Sequence, residues 1–431
     1  MAYETDKFAF GKLPSDWRCV PLGDLIKSTE YGSSAKSHYS GTIPVLRMGN
    51  LQEGKIDWGD LVYTSDENEI KRYRLRSGDV LFNRTNTVDL VGKAAIYKGS
   101  RPAIFAGYLI RIIHNETLVD SNYLNYVLNT YQAKKYSKAV LSVAVSQANI
   151  NAEKLKTYPI PLPPTLEEQA AIANALSDVD ALISELEKLI AKKQAVKTAT
   201  MQQLLTGKQR LPQFAKYSDG MLKGYKKSEL GEIPEDWDIG SVGDRSVSYS
   251  GGTPSTSNKS FYGGNISWIT SSDLNKSFIY EVEGRITEAG LQGSSAKLVD
   301  AGTFLIALYG ATAGVCAITK IKAAINQAVL AVASSLWSPE FLFYWFTNNK
   351  NKLIETYTQG GQPNLSGDIV RSIRMSIPPM REQKEIVSVL SDMDDELQAL
   401  EKRLKKTRQI KQGMMQELLT GKTRLVKPES K

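Results

Sequence analysis

Two stretches of this chain carry apolar residues at alternating steps of three and four: Ile172, Leu176, Val179, Ile183, Leu186 and Ile190, then Leu390, Met393, Leu397, Leu400 and Leu404. That rhythm keeps one stripe of an α-helix apolar, and two such stripes predict two long helices zipped together as an antiparallel coiled coil. Lys193 and Lys197 interrupt the first stripe, so tight packing is expected to fade toward the end of that helix. Each helix should close at Thr-Gly-Lys, because Gly207 and Gly421 can take the left-handed backbone that ends a helix. Elsewhere the apolar residues come in short runs bounded by Gly, Asn and Ser: Ile43 to Leu46, Val80 to Phe82, Ile104 to Ile113, Ile266 to Ile269 and Phe304 to Leu308. These read as strands. Tyr123 to Tyr136 and Phe341 to Tyr357 read as helices ahead of a proline break, so each globular part is expected to be mixed α/β.

The pattern occurs twice. Gly11-Lys12-Leu13-Pro14-Ser15-Asp16-Trp17 returns as Gly231-Glu232-Ile233-Pro234-Glu235-Asp236-Trp237. Pro163-Pro164 with Glu168-Gln169 returns as Pro378-Pro379 with Glu382-Gln383, Leu176-Ser177-Asp178 as Leu390-Ser391-Asp392, and Leu204-Leu205-Thr206-Gly207-Lys208 as Leu418-Leu419-Thr420-Gly421-Lys422. Before the helices only a skeleton is shared: Ser77-Gly78-Asp79-Val80-Leu81 against Ala301-Gly302-Thr303-Phe304-Leu305, and Gln147-Ala148-Asn149-Ile150 against Gln362-Pro363-Asn364-Leu365. The boundaries that follow are a globular domain over 1–164, a helix over 165–207, a linker over 208–232, a second globular domain over 233–379, a second helix over 380–421 and a tail over 422–431. Similar helices related by a pseudo-two-fold present two equivalent docking faces, while dissimilar globular surfaces recognise different things.

Composition narrows the chemistry. A chain of 431 residues exceeds a single core, and its charge of +8 leans toward a polyanionic partner, though modestly for the length. Cys19 and Cys316 form no CxxC pair, which leaves neither a disulfide framework nor a zinc ribbon and fits a reducing cytoplasm. The opening residues lack the layout of a secretion signal. The stretch from Phe304 to Ile318 is shorter than the ~18 residues of a membrane span and reads as buried strands. No GxxxxGK[ST] series occurs, and Ser250-Gly251-Gly252-Thr253-Pro254 and Gly310-Ala311-Thr312-Ala313-Gly314 read as turns. The Pro-Pro pairs follow Leu162 and Ile377 rather than Asn or Asp, so they are not the loop with which amino-methyltransferases grip a flipped base. His38 and His114 are the only imidazoles and belong to no metal-ligand pattern. A non-catalytic chain without a metal is expected.

The duplicated series of Pro-Pro, Glu-Gln, Leu-Ser-Asp, heptad seam and Leu-Leu-Thr-Gly-Lys, each after a dissimilar globular unit, resembles the specificity subunits of type I restriction–modification enzymes over nearly the whole chain. The resemblance implies two target recognition domains, each reading one half of a bipartite asymmetric target in double-stranded DNA. It also implies helices that space the domains and dock two modification subunits, which in turn carry restriction subunits. S-adenosylmethionine, ATP and magnesium would then belong to the partners, and none to this chain.

Residue type and location point to where DNA contact would lie. Arg, Lys, Asn and Gln read base edges, and Ser and Thr assist or hold phosphates. The candidates in the first domain are Arg47 and Asn50 leaving one strand, Asn83, Arg84 and Asn86 leaving another, and Arg72 and Arg74 in the basic segment Lys71 to Arg76. Lys134-Lys135-Tyr136 likewise suits phosphate. In the second domain they are Thr270, Ser271 and Asp273, with Tyr309 and Thr312. Gln147 and Asn149 match Gln362 and Asn364, so a shared structural or phosphate role suits them better than base reading. The basic run Lys402, Arg403, Lys405, Lys406, Arg408 and Lys411 reads as a solvated helix face. Two alternatives remain open at this point: a stand-alone DNA methyltransferase or nuclease, and a coiled-coil scaffold that binds only protein.

Overall fold

The computed structural model describes residues 10–144, 147–357 and 364–426. The chain divides into two compact units, residues 1–187 with 402–431, and residues 188–401. Both cuts fall inside long helices, Leu166–Leu205 and Met380–Leu418. Each unit therefore holds a globular domain, the first half of its own copy's helix and the second half of the other copy's.

In the first unit a six-stranded mixed sheet runs in the order Ile26–Tyr31, Leu109–His114, Val80–Asn83, Ala94–Ile96, Gly54–Ile56, Leu51–Gln52. In the second, five strands follow the same order: Ser246–Ser250, Val329–Ser334, Phe304–Ala307, Cys316–Thr319, Phe278–Ile279. Gly54–Ile56 and Phe278–Ile279 each pair parallel with their neighbour inside an otherwise antiparallel run. The mixed α/β reading and the internal repeat thus hold at the level of strand order. The run from Ile104 to Ile113 is two strands, Ile104–Phe105 and Leu109–His114, belonging to different sheets and split at Gly107. Tyr123 to Tyr136 is likewise two helices, Ser121–Leu128 and Tyr131–Val140, because the Thr130 hydroxyl bonds back to the Val127 carbonyl and accepts from the Ala133 amide, capping a new start. Its counterpart Pro339–Tyr357 runs through as one helix.

The helix halves run antiparallel within each unit. Asp180 meets Lys411 at 2.7 Å and Glu187 meets Arg408 at 2.6 Å in the first; Lys193 meets Glu396 at 2.7 Å and Lys197 meets Asp394 in the second. Ile172, Leu176, Ile183, Leu186, Ile190, Leu390 and Leu397 are buried as the heptads predict, with Val179, Met393, Leu400 and Leu404 half-buried beside them. Packing thins after Ile190, across Lys193 and Lys197, since no residue from 191 to 200 is buried and Val196 is 43% exposed, and it resumes at Met201. The two lysines keep their charged heads on carboxylates, and Met201, Leu204 and Leu205 then enter the second unit's core, as Leu418 and Leu419 enter the first's.

The repeated motifs converge at these helix ends. Arg210, three residues past Gly207, donates Nε and Nη2 to the Glu382 carboxylate at 2.9 and 2.6 Å, and Nη1 to Asp236 at 2.8 Å. Arg424 holds Glu168 and Asp16 in the same fork. Burial works against the Arg210 charge, but hydrogen bonds to Glu382 and Asp236 outweigh it and hold its pKa above the ordinary value. Gln169 accepts from the Asp120 amide and donates to the Leu118 carbonyl; Gln383 does the same with Ser338 and Leu336, so each Glu-Gln pair faces both the helix end and its own globular domain. One tyrosine in each unit adds a second tie: Tyr126 donates to Asp180 at 2.8 Å and Tyr344 to Asp394 at 2.9 Å. Burial, then the neighbouring carboxylate, raises both phenols above their usual range, which keeps the donating proton in place. The segment read as a linker carries Arg210 and a hairpin of Tyr225–Ser228 with Gly231–Pro234, and the segment read as a tail carries Arg424; each arginine ties its segment to the globular domain.

Trp17 and Trp237 are buried against the same ends, as core packing predicts, and Trp237 Nε1 donates to Glu382 at 2.9 Å. Gly207 and Gly421 have φ of 72° and 67°, and a Cβ on them would lie 2.5 Å from Pro234 and 2.6 Å from Pro14. Gly207→Ala is therefore expected to destabilise the second unit by more than about 1 kcal/mol. Gly413→Ala, in an open helical position, should stabilise by about 0.5–1 kcal/mol; thermal denaturation of the two variants checks the contrast. Arg210→Ala leaves the Glu382 side chain, 1% exposed, without its cation and should cost about 3–5 kcal/mol. Recovery of wild-type unfolding in that variant would contradict the clamp.

Candidate nucleic-acid interface

In the first unit the strand Val80–Asn83 ends in a loop that turns back at Gly92, and Thr85–Asn86 within it pairs with Gln147–Asn149. The Asn149 amide donates to the Thr85 hydroxyl at 2.9 Å. Asn86 donates to the Met48 sulfur at 3.3 Å, which brings the Arg47–Asn50 turn against this loop. Two loops that leave different strands thus lie side by side.

Not every member faces outward. Asn50 is 3% exposed: its carbonyl accepts from the Arg47 amide and its amide donates to Asp57 and Gly59. Asn83 is fully buried and donates to Leu90. Both asparagines brace loops from within, a correction to their reading as surface contacts. Arg84 lies 4.8 Å over the Tyr31 ring and donates to Gly107, while its Nε has no partner. Arg47 is held by Asp60 at 3.0 Å. Arg72 and Arg74 are exposed at the end of the helix Glu67–Tyr73, where Arg111 donates to the Arg74 carbonyl at 2.8 Å and pairs with Asp79 and Glu30. Burial raises the Asp79 pKa although Arg111 and the Arg76 amide oppose it. No hydrogen bond or ion pair among the described residues joins Arg72 or Arg74 to the other loops. Tyr108, 54% exposed, accepts the Arg84 amide on its carbonyl and belongs to the same surface. No motif in the sequence marks it.

The second unit repeats the scaffold with other side chains. The Thr270 amide donates to Asp273 at 2.9 Å, as that of Arg47 does to Asn50 at 2.8 Å, so Asp273 is a turn brace too; Ser271 is half-buried in that turn. Tyr309 bridges Asn364 as Thr85 pairs with Asn149, and the Leu365 amide donates to Leu308 as that of Ile150 does to Arg84. The matching asparagines therefore occupy one backbone position in both copies. Tyr309 and Asn364 are exposed and Thr312 is half-buried. Gln362 lies outside the described residues, and Gln147 is described only by its backbone, paired with Ala144.

What the surfaces can do is bind: exposed amides, guanidinium groups and phenols on rigid turns suit hydrogen bonding to an extended polar partner. Among the described residues no cluster of three or more His, Cys, Asp or Glu could hold a metal, and no helix is long and apolar enough to cross a membrane.

The family model described as type I restriction modification DNA specificity domain matches residues 14–198 and again 234–412, one match per copy. The chain is 31% identical to a putative type I restriction enzyme MjaX specificity subunit from Methanocaldococcus jannaschii, over 97% of this chain and 96% of that protein. It is 24% identical to the EcoR124I/EcoR124II specificity subunit of Escherichia coli, over 87% and 86%. The crystal structure of a type I restriction–modification S subunit from M. genitalium shares the fold with a TM-score of 0.59 at 14% identity, over 95% of this chain and 98% of that one. With both copies matched and the relatives covered nearly end to end, the chain belongs to the type I restriction–modification DNA specificity family.

Proposed function

We propose that this chain is the non-catalytic DNA sequence-specificity subunit of a type I restriction–modification complex. Each recognition domain reads one half of a bipartite, asymmetric target while the helices set the spacing. The observation that carries this reading, in a chain of this family, is one scaffold dressed twice. Equivalent turns present Arg47 and Thr270, and equivalent bridges present Thr85 with Asn149 and Tyr309 with Asn364. A changed donor and acceptor pattern on an unchanged backbone is what two unlike half-sites require. A protein-only scaffold has no need of the difference.

The helices supply two similar faces, which supports docking of two modification subunits, with restriction subunits joining through them. S-adenosylmethionine, ATP and magnesium belong on those subunits, and the assembly works in the cytoplasm.

Mapping methylated positions genome-wide in cells with and without this gene should reveal a single bipartite sequence, and replacing residues 1–160 with those of a relative should change one half of it only. A change in both halves would refute one reader per unit. The assembled complex should prefer duplex bearing that sequence over scrambled duplex, with affinity falling steeply as salt rises. Equal affinity for the two would overturn the reading.

A further inference from the structure

Beside the reader loop of the first unit lies a depression of about 300 Å³ that brings Lys134 and Lys135, whose sequence suits phosphate, together with residues of that loop. One wall is the helix Tyr131–Val140, whose spacing places Tyr131, Lys134, Lys135 and Lys138 toward one side. The other wall is the loop after Val80–Asn83, which contributes Asp89, with Lys93 at its return. Four ammonium groups thus meet one carboxylate. Lys138 pairs with Asp89 at 2.8 Å, and Lys93 donates to Gln52 at 3.0 Å. Among the described residues the Lys134 side chain has no hydrogen-bond or ion-pair partner, and Tyr131 is 76% exposed.

Tyr131 and Lys134 also border a wider depression of about 620 Å³ that reaches Lys422, so positive charge continues along the surface beyond the first hollow. Like charges four residues apart on a helix, as Lys134 and Lys138 are, repel one another in the free protein. An extended polyanion relieves that repulsion. The loop that forms one wall is the same loop that carries Arg84 and Asn86, so a duplex read there would pass its sugar–phosphate backbone close to the lysines.

We propose that this lysine-lined depression holds backbone phosphates of the duplex next to the half-site read by the first unit. The contact adds affinity and fixes the register without reading sequence. It rests on the DNA-specificity reading above and names a contact surface within it. Lysine suits the task as a mobile point charge that follows a phosphate strand without the planar geometry base reading needs.

The test uses the chain assembled with its modification subunits, comparing wild type with Lys134→Gln and with Lys134→Gln/Lys138→Gln on cognate and scrambled duplexes over a range of salt. Each lysine removed should make the dependence of log affinity on log salt shallower by about 0.9. Binding should weaken by a similar factor on both duplexes, with the methylated sequence unchanged. Methylphosphonate linkages flanking the half-site should weaken the wild-type complex and have little effect on the double variant. An unchanged salt slope overturns the proposal. So does a loss confined to cognate duplex, which would make these base contacts, or a loss of subunit assembly at unchanged DNA affinity, which would make the depression a protein interface. A wild-type complex with no preference for cognate duplex is a different result, because it removes the specificity reading itself.

Discussion

The architecture depends on an arginine fork at the end of each long helix. Arg210 and Arg424 each bind two carboxylates, one from the opening Pro-x-Asp-Trp segment and one from the start of the opposing helix. In each fork the glutamate is almost wholly buried, so its charge depends on the arginine, while the aspartate at the outer side stays partly exposed. Such a buried ionic group contributes little net stability compared with apolar packing, but it admits one arrangement and penalises others. A helix slipped by one turn would strand these charges in a nonpolar core.

That constraint explains why the repeat is most alike at the helix ends and least alike in the loops. Glycine at the helix end is fixed by left-handed backbone and by proline contact, and glutamine after glutamate by its two backbone partners. The turns are bound by a looser rule. Position 50 or 273 needs only a side-chain oxygen to accept an amide three residues back, and Asn and Asp both serve. Their neighbours are free to vary, and variation there is what recognition uses.

Much of this was legible beforehand. The heptads named the seam, and the paired motifs located both helix ends and the matching asparagines. The forks were missed although the repeat runs on, with Arg210-Leu211 matching Arg424-Leu425, because those segments were read as linker and tail and the partners are distant along the chain. Asn50 and Asn83 misled for a related reason: an asparagine next to a strand looks the same whether it faces a ligand or holds its own loop, and only burial separates the two. Lys193 and Lys197 did mark the thinner stretch of the seam, but not the ion pairs across it, because their acidic partners sit on the other helix.

The division of the chain also orders its birth. The second unit is one continuous segment, residues 188–401, whereas the first joins residues 1–187 to 402–431. Leu418 and Leu419 share a core with Phe10, Trp17 and Leu22, and Arg424 reaches Asp16. During synthesis the domain made first therefore waits with an open apolar face, while the one made second can close as soon as it leaves the ribosome. The interval is the time needed to make more than two hundred residues, on the order of ten seconds or longer at 5–20 residues per second. For that time the first domain keeps an apolar face uncovered, and the segment carrying Leu418, Leu419 and Arg424 is the latch that closes it.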